Sequence, residues 1–80
     1  MTDQQAWDVV REAIGQVAPD VDPDELVEGA RLRQDLELDS LDFLRVLETI
    51  AARAGVDVPE GAYAEVGTVE GLVGYVAAHG

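Results

Sequence analysis

Residues 39–55 read DSLDFLRVLETIAARAG, and this stretch decides the fold. From Ser40 to Ala54, apolar side chains recur at helical spacing: Leu41, Leu44 and Leu47 along one line, Val46, Ile50 and Ala54 along another. The spacing predicts a helix over 40–54 that is apolar on more than one face, and Gly55 supplies its stop. At the other end Asp39 suits the N-cap, with Asp42 three residues on in a capping-box-like place. Ser40 is then the first helical residue, its hydroxyl exposed; alternatively Ser40 is the cap itself. As local structure either is ordinary for a serine. An anion attached to Ser40 would meet free backbone N–H groups and the positive end of the helix dipole. Leu41 and Leu44 beside it offer an anchoring surface. Both points permit attachment without deciding it.

Upstream, residues 3–18 carry Ala6, Val10, Ala13, Ile14 and Val17 at helical spacing, widened by Trp7 and Val9. Thr2 or Asp3 caps the start, and Pro19 ends the helix because a residue before proline disfavours helical backbone. Residues 19–39 form a long connection with anchors at Val21, Leu26, Leu32, Leu36 and Leu38 and a short turn after Pro23, so an ordered loop is expected. Downstream, Val56 to Pro59 reads as extended. Residues 60–66 predict a short helical segment, too short to be stable alone. Thr68 caps a last helix with Val69, Leu72, Val73 and Val76 inward, weakened by Gly71 and Gly74 by about 1 kcal/mol each relative to alanine. The expected fold is all-α: three longer helices and one short one, bundled in a single domain over 1–80.

Composition removes most chemistry. Eighty residues hold one small core and leave little room for a deep, dry active site. Cysteine is absent, which excludes disulfides and thiolate metal sites. No segment reads as a membrane span, and the acidic, polar start does not resemble a secretory signal, so a cytoplasmic protein without membrane attachment is expected. Seventeen acidic residues face five arginines and no lysine, a net charge of −12 that repels nucleic acid and favours partners with basic patches. From Asp20 the acids alternate as in a calcium loop, but Glu25 and Arg31 stand where an EF-hand needs glycine and a bidentate acid, so no metal site is expected. His79 is next to last and lacks an orienting group for nucleophilic catalysis. No set of residues supports catalysis unaided.

The residues around Ser40 are similar to those of the acyl carrier protein family. Asp39-Ser40-Leu41 resembles its D-S-L attachment motif for 4′-phosphopantetheine. Leu32-Arg33-Gln34-Asp35-Leu36 resembles the preceding hydrophobic-x-x-D-L element. Val56-Asp57-Val58-Pro59 and Gly67-Thr68-Val69 resemble the stretches before the third and fourth helices. The resemblance spans essentially the whole chain. It implies a four-helix bundle of acyl-carrier type, a freestanding monomer whose short third helix lies over 60–66. It also implies a phosphopantetheinyl transferase that moves the arm from coenzyme A onto Ser40, flanked by Asp39 and Leu41. The arm's thiol then carries acyl groups as thioesters between enzymes such as a ketosynthase or acyltransferase. The carrier itself is not an enzyme and has no catalytic residues.

Asp42, Leu44, Arg45 and Glu48 are the expected partner-docking residues. Leu41, Val46, Leu47, Ile50, Tyr63 and Val66 are the expected wall of an acyl cavity. The family often has glutamates where this chain has Arg45, Ala51 and Ala52, which thins the acidic face. A changed docking rim alters partner choice. The implied pathway is therefore dedicated, polyketide or otherwise specialised, rather than general fatty acid biosynthesis. A peptidyl or aminoacyl carrier of nonribosomal peptide assembly is the nearest alternative, although Asp39 before the serine leans toward acyl cargo. An unmodified carrier-like interaction module is the alternative from another class.

Overall fold

The computed structural model describes residues 1–80. Three α-helices, α1 (Asp3–Val17), α2 (Ser40–Ala54) and α3 (Val69–His79), are joined by loops containing 3-10 turns at Pro23–Glu25 and Glu60–Ala62. There are no strands; one isolated antiparallel bridge pairs Arg31 with Thr68. Helix α1 packs against both α2 and α3.

Each helix starts as its sequence directs. The Thr2 hydroxyl accepts from the Gln5 amide while the Gln5 side chain accepts from the Thr2 amide, a complete capping box. Thr68 accepts from the Gly71 amide to open α3. For α2 the cap is Asp39, whose carboxylate accepts from the Asp42 amide at 2.7 Å. Gly55 closes α2 in the left-handed conformation at φ 69°.

The core is wholly apolar, with no buried polar side chain left over. Ala6, Val10, Ala13 and Ile14 of α1 meet Phe43, Val46, Leu47 and Ile50 of α2 and Val69, Leu72 and Val76 of α3. The register of α2 turns two of its leucines outward. Leu41 and Leu44 are 57% and 39% exposed, whereas Phe43, which periodicity alone did not select, is buried.

The loop between α1 and α2 is ordered by anchors. Leu26, Leu32, Leu36 and Leu38 are buried and Val21 packs partly against the core, as the spacing predicts. Backbone bonds tie the loop to the start of α3: Leu32 N–H to Gly67 O at 3.0 Å, Val69 N–H to Ala30 O at 2.9 Å and Glu70 N–H to Glu28 O at 2.9 Å. The Arg31 guanidinium, and then the Arg31 backbone N–H, hold the Asp35 carboxyl below the usual carboxylate range. Because that value is lowered in the folded state, the pair's contribution to stability is present at neutral pH. It is lost as acid passes down through the folded-state value.

The short helix expected over 60–66 takes another form. Glu60–Ala62 is a 3-10 turn, and the amides of Ala62, Tyr63, Glu65 and Val66 bond back three residues rather than four. A segment this short is marginal as an α-helix on its own, and Gly61 lowers its helix propensity further.

One backbone feature governs the approach to α2. Glu37 is the only non-glycine residue with positive φ, at 58°. An L-residue in the left-handed region costs about 1–2 kcal/mol, whereas glycine's extra unfolded-state freedom costs about 0.5–1 kcal/mol. Glu37→Gly is therefore expected to raise stability by about 0.5 kcal/mol in urea denaturation. Glu37→Gln, which removes the charge but keeps the strain, should gain less. Equal gains for both would trace the effect to charge rather than backbone.

Candidate functional site

Ser40 is the only serine in the chain. It occupies the first position of α2 and is exposed. Since the Asp39 carboxylate does the capping, the Ser40 hydroxyl has no structural duty to the helix. Of the two local readings open in the sequence, Asp39 is the cap. The amides of Ser40 and Leu41 precede the first intrahelical bonds and have no protein partner.

The hydroxyl does have one neighbour. Arg33, on the turn before Glu37, reaches across and donates from Nη2 to Ser40 Oγ at 3.0 Å. Arg33 and Ser40 together border a surface groove of about 390 Å³ whose apolar wall is Phe43, Leu44, Tyr63 and Ala64. Phe43 and Tyr63 meet edge to face with ring centroids 5.5 Å apart, fixing the 60–66 turn against α2. A hydroxyl open to solvent, a cation beside it and an apolar groove at its side suit a phosphate-linked chain that leaves the protein at Oγ.

Leu41, Leu44, Arg45 and Glu48 fall at i, i+3, i+4 and i+7 of α2 and are all exposed, so they form one face beside Ser40, with half-buried Asp42 next to it. The six residues expected to wall an acyl cavity are divided between core, surface and recess. Val46, Ile50 and Val66 are sealed in the packed core and Leu41 points to solvent, while Leu47 and Tyr63 share a recess of about 180 Å³ with Leu44, Ala51 and Val58, and Tyr63 also borders the groove. The register of α2 turns Phe43 inward and Leu41 out. Sequence reading missed Arg33, Phe43 and Ala64. Arg33 lies seven residues before the serine, and only the turn through Glu37 brings it back.

A larger recess of about 520 Å³ lies between the start of α1 and α3, with Asp3, Glu28, Glu70 and half-buried Trp7 on its wall; it shares no residue with the Ser40 groove. No group of three acids or histidines in the chain is arranged to hold a metal ion. No helix is long and apolar enough to cross a membrane.

Residues 8–76 match the family described as "Phosphopantetheine attachment site". The chain is 36% identical over 59 residues to the acyl carrier protein of Zymomonas mobilis subsp. mobilis, covering 74% of this chain and 76% of that one. It is likewise 36% identical over 59 residues to the acyl carrier protein of Rubrobacter xylanophilus, covering 74% of this chain and 73% of that one. The chain belongs to the phosphopantetheine-binding acyl carrier protein family. It is thus a carrier rather than an enzyme, and its prosthetic group is a covalently held 4′-phosphopantetheine.

Proposed function

We propose that Ser40 bears the prosthetic arm and that residues 1–80 act as one carrier domain for acyl groups in a dedicated biosynthetic pathway of the cytoplasm. The observation that carries this reading is the spare hydroxyl of the chain's one serine, exposed at the start of α2 while Asp39 caps the helix. In the attachment step Ser40 Oγ loses its proton to the transferase and bonds to phosphorus of coenzyme A. The pyrophosphate P–O bond breaks and the adenosine bisphosphate half leaves. Once bound, the group supplies a terminal thiol on which an acyl chain is carried as a thioester.

The chain's own residues do the rest. Leu41 and Leu44 give a partner enzyme apolar contact, while Arg45 and Glu48 give it a mixed-charge rim, and this mixture supports a restricted partner set. The 60–66 turn, joined to α2 through Tyr63 and Phe43, serves as the short fourth element of the bundle.

The test is direct because the chain has no cysteine. Incubation with coenzyme A and a promiscuous phosphopantetheinyl transferase should add one phosphopantetheine mass to the peptide containing Ser40. Titration with a thiol reagent should rise from zero to one thiol per chain. No mass gain with several transferases would refute the reading. Loading with acyl against aminoacyl donors then tests the cargo, and preferential aminoacyl loading would reverse it.

The acid-rich stretch from Asp20 to Asp42, nine acids and two arginines, surrounds Ser40 in sequence. Exposed charges are screened beyond about 8–10 Å at physiological salt. The association rate with the transferase is therefore expected to fall several-fold between low and high salt in stopped-flow mixing. A salt-independent rate would count against electrostatic docking.

A further inference from the structure

The unusual feature near Ser40 is the arginine. Of the five arginines, Arg11, Arg31 and Arg53 pair with Asp8, Asp35 and Glu12 respectively. Arg33 and Arg45 pair with no carboxylate in a chain with seventeen acids, and of these two only Arg33 makes a side-chain hydrogen bond, to the neutral Ser40 hydroxyl. A guanidinium carries five N–H donors in a planar fork suited to two oxygens of one anion. A single hydroxyl uses one of them. The remainder stay free at the mouth of the groove that Ser40, Phe43, Leu44 and Tyr63 border.

We propose that Arg33 is the phosphate anchor of the prosthetic arm, a positioning residue that, once Ser40 is esterified, pairs with the phosphodiester and lays the start of the arm along this groove. This rests on Ser40 as the attachment point. Esterification replaces the hydroxyl by an oxygen bonded to phosphorus, which sets an anion within reach of the guanidinium that already touches Oγ. The gain is charge-assisted hydrogen bonding in place of a neutral contact. The apolar wall of the groove then lies under the part of the arm that follows the phosphate. Arg33 is exposed, so the expected bias is that of an exposed ion pair, about two- to fivefold in the ratio of anchored to free arm.

The experiment compares wild type, Arg33→Gln and Arg11→Gln, which removes the same charge away from Ser40. All three are converted with coenzyme A carrying 15N at the two pantetheine amides. Intact mass comes first: absence of the added group in wild type overturns the Ser40 reading itself, independently of Arg33. With the group in place, the 31P shift of the phosphodiester and the heteronuclear NOE of the amide nearer the phosphate are read. The expected result is that Arg33→Gln moves the 31P resonance toward that of a modified serine peptide and lowers the NOE. Arg11→Gln should match wild type, and high salt should shift wild type toward Arg33→Gln. Identical 31P shifts and NOE values in all three proteins would overturn the anchor.

Discussion

Ser40→Ala is expected to give a folded protein that gains no phosphopantetheine mass and no thiol under conditions where the wild type is fully converted. Loss of attachment is complete because the substitution removes the only serine in the chain. Retention of fold follows from what Ser40 touches. Its hydroxyl is exposed, the helix cap is supplied by Asp39, and its one side-chain bond is to exposed Arg33. Alanine is also a slightly better helix former than serine. The net change in stability should stay within about 0.5 kcal/mol, as for other surface substitutions. Asp39→Ala should do the reverse. Losing the cap bond to Asp42 costs about 1 kcal/mol, while the Ser40 hydroxyl remains to be modified. Together the two variants separate folding from attachment along two adjacent residues. A mass gain in Ser40→Ala would move the attachment to a threonine or tyrosine hydroxyl, and a global loss of helicity in that variant would return Ser40 to a structural role.

The division between Asp39 and Ser40 also marks how far the sequence can be read. Capping chemistry and apolar spacing act over a few residues, so Gly55 and Thr68 announce their helix ends, Thr2 and Asp39 are each one of two caps the residues allow, and the leucines of the long loop announce their burial. The side on which α2 meets the core is a different matter. Leu41, Phe43, Leu44, Val46, Leu47 and Ile50 cover most of its circumference, so periodicity admits more than one register. Packing against α1 selects the one that buries Phe43 and exposes Leu41 and Leu44. That choice sets Leu41 in solvent and Val46 and Ile50 in the packed core. The Arg33 contact was hidden for a related reason: it depends on the left-handed turn at Glu37, which no residue preference signals, since glutamate disfavours it.

Gly71 is the clearest case of a nonlocal constraint, and its replacement by alanine is expected to destabilise by about 2 kcal/mol, against the gain of about 1 kcal/mol that helix propensity alone predicts. A Cβ at position 71 would overlap the carbonyl oxygen of Glu65 and approach its carbonyl carbon to 3.2 Å. The Thr68 hydroxyl oxygen would stand at 3.2 Å as well, but the overlapping atom is backbone, so no rotamer change relieves it. Relief requires moving the 60–66 turn, which carries buried Val66 and the Tyr63 ring that borders the groove. Gly74, three residues on in the same helix, has open space where a Cβ would stand, with nothing within 4 Å, and Gly74→Ala should stabilise by about 0.5–1 kcal/mol. In thermal melts the pair should move in opposite directions, Gly71→Ala down by roughly 10 °C and Gly74→Ala up by roughly 4 °C, given about 4–8 °C per kcal/mol for a domain of this size. If both variants rise, α3 does not approach the 60–66 turn closely. If Gly71→Ala alone falls, and the Tyr63 resonances shift with it, the turn that borders the Ser40 groove is held in place by the absence of one methyl group.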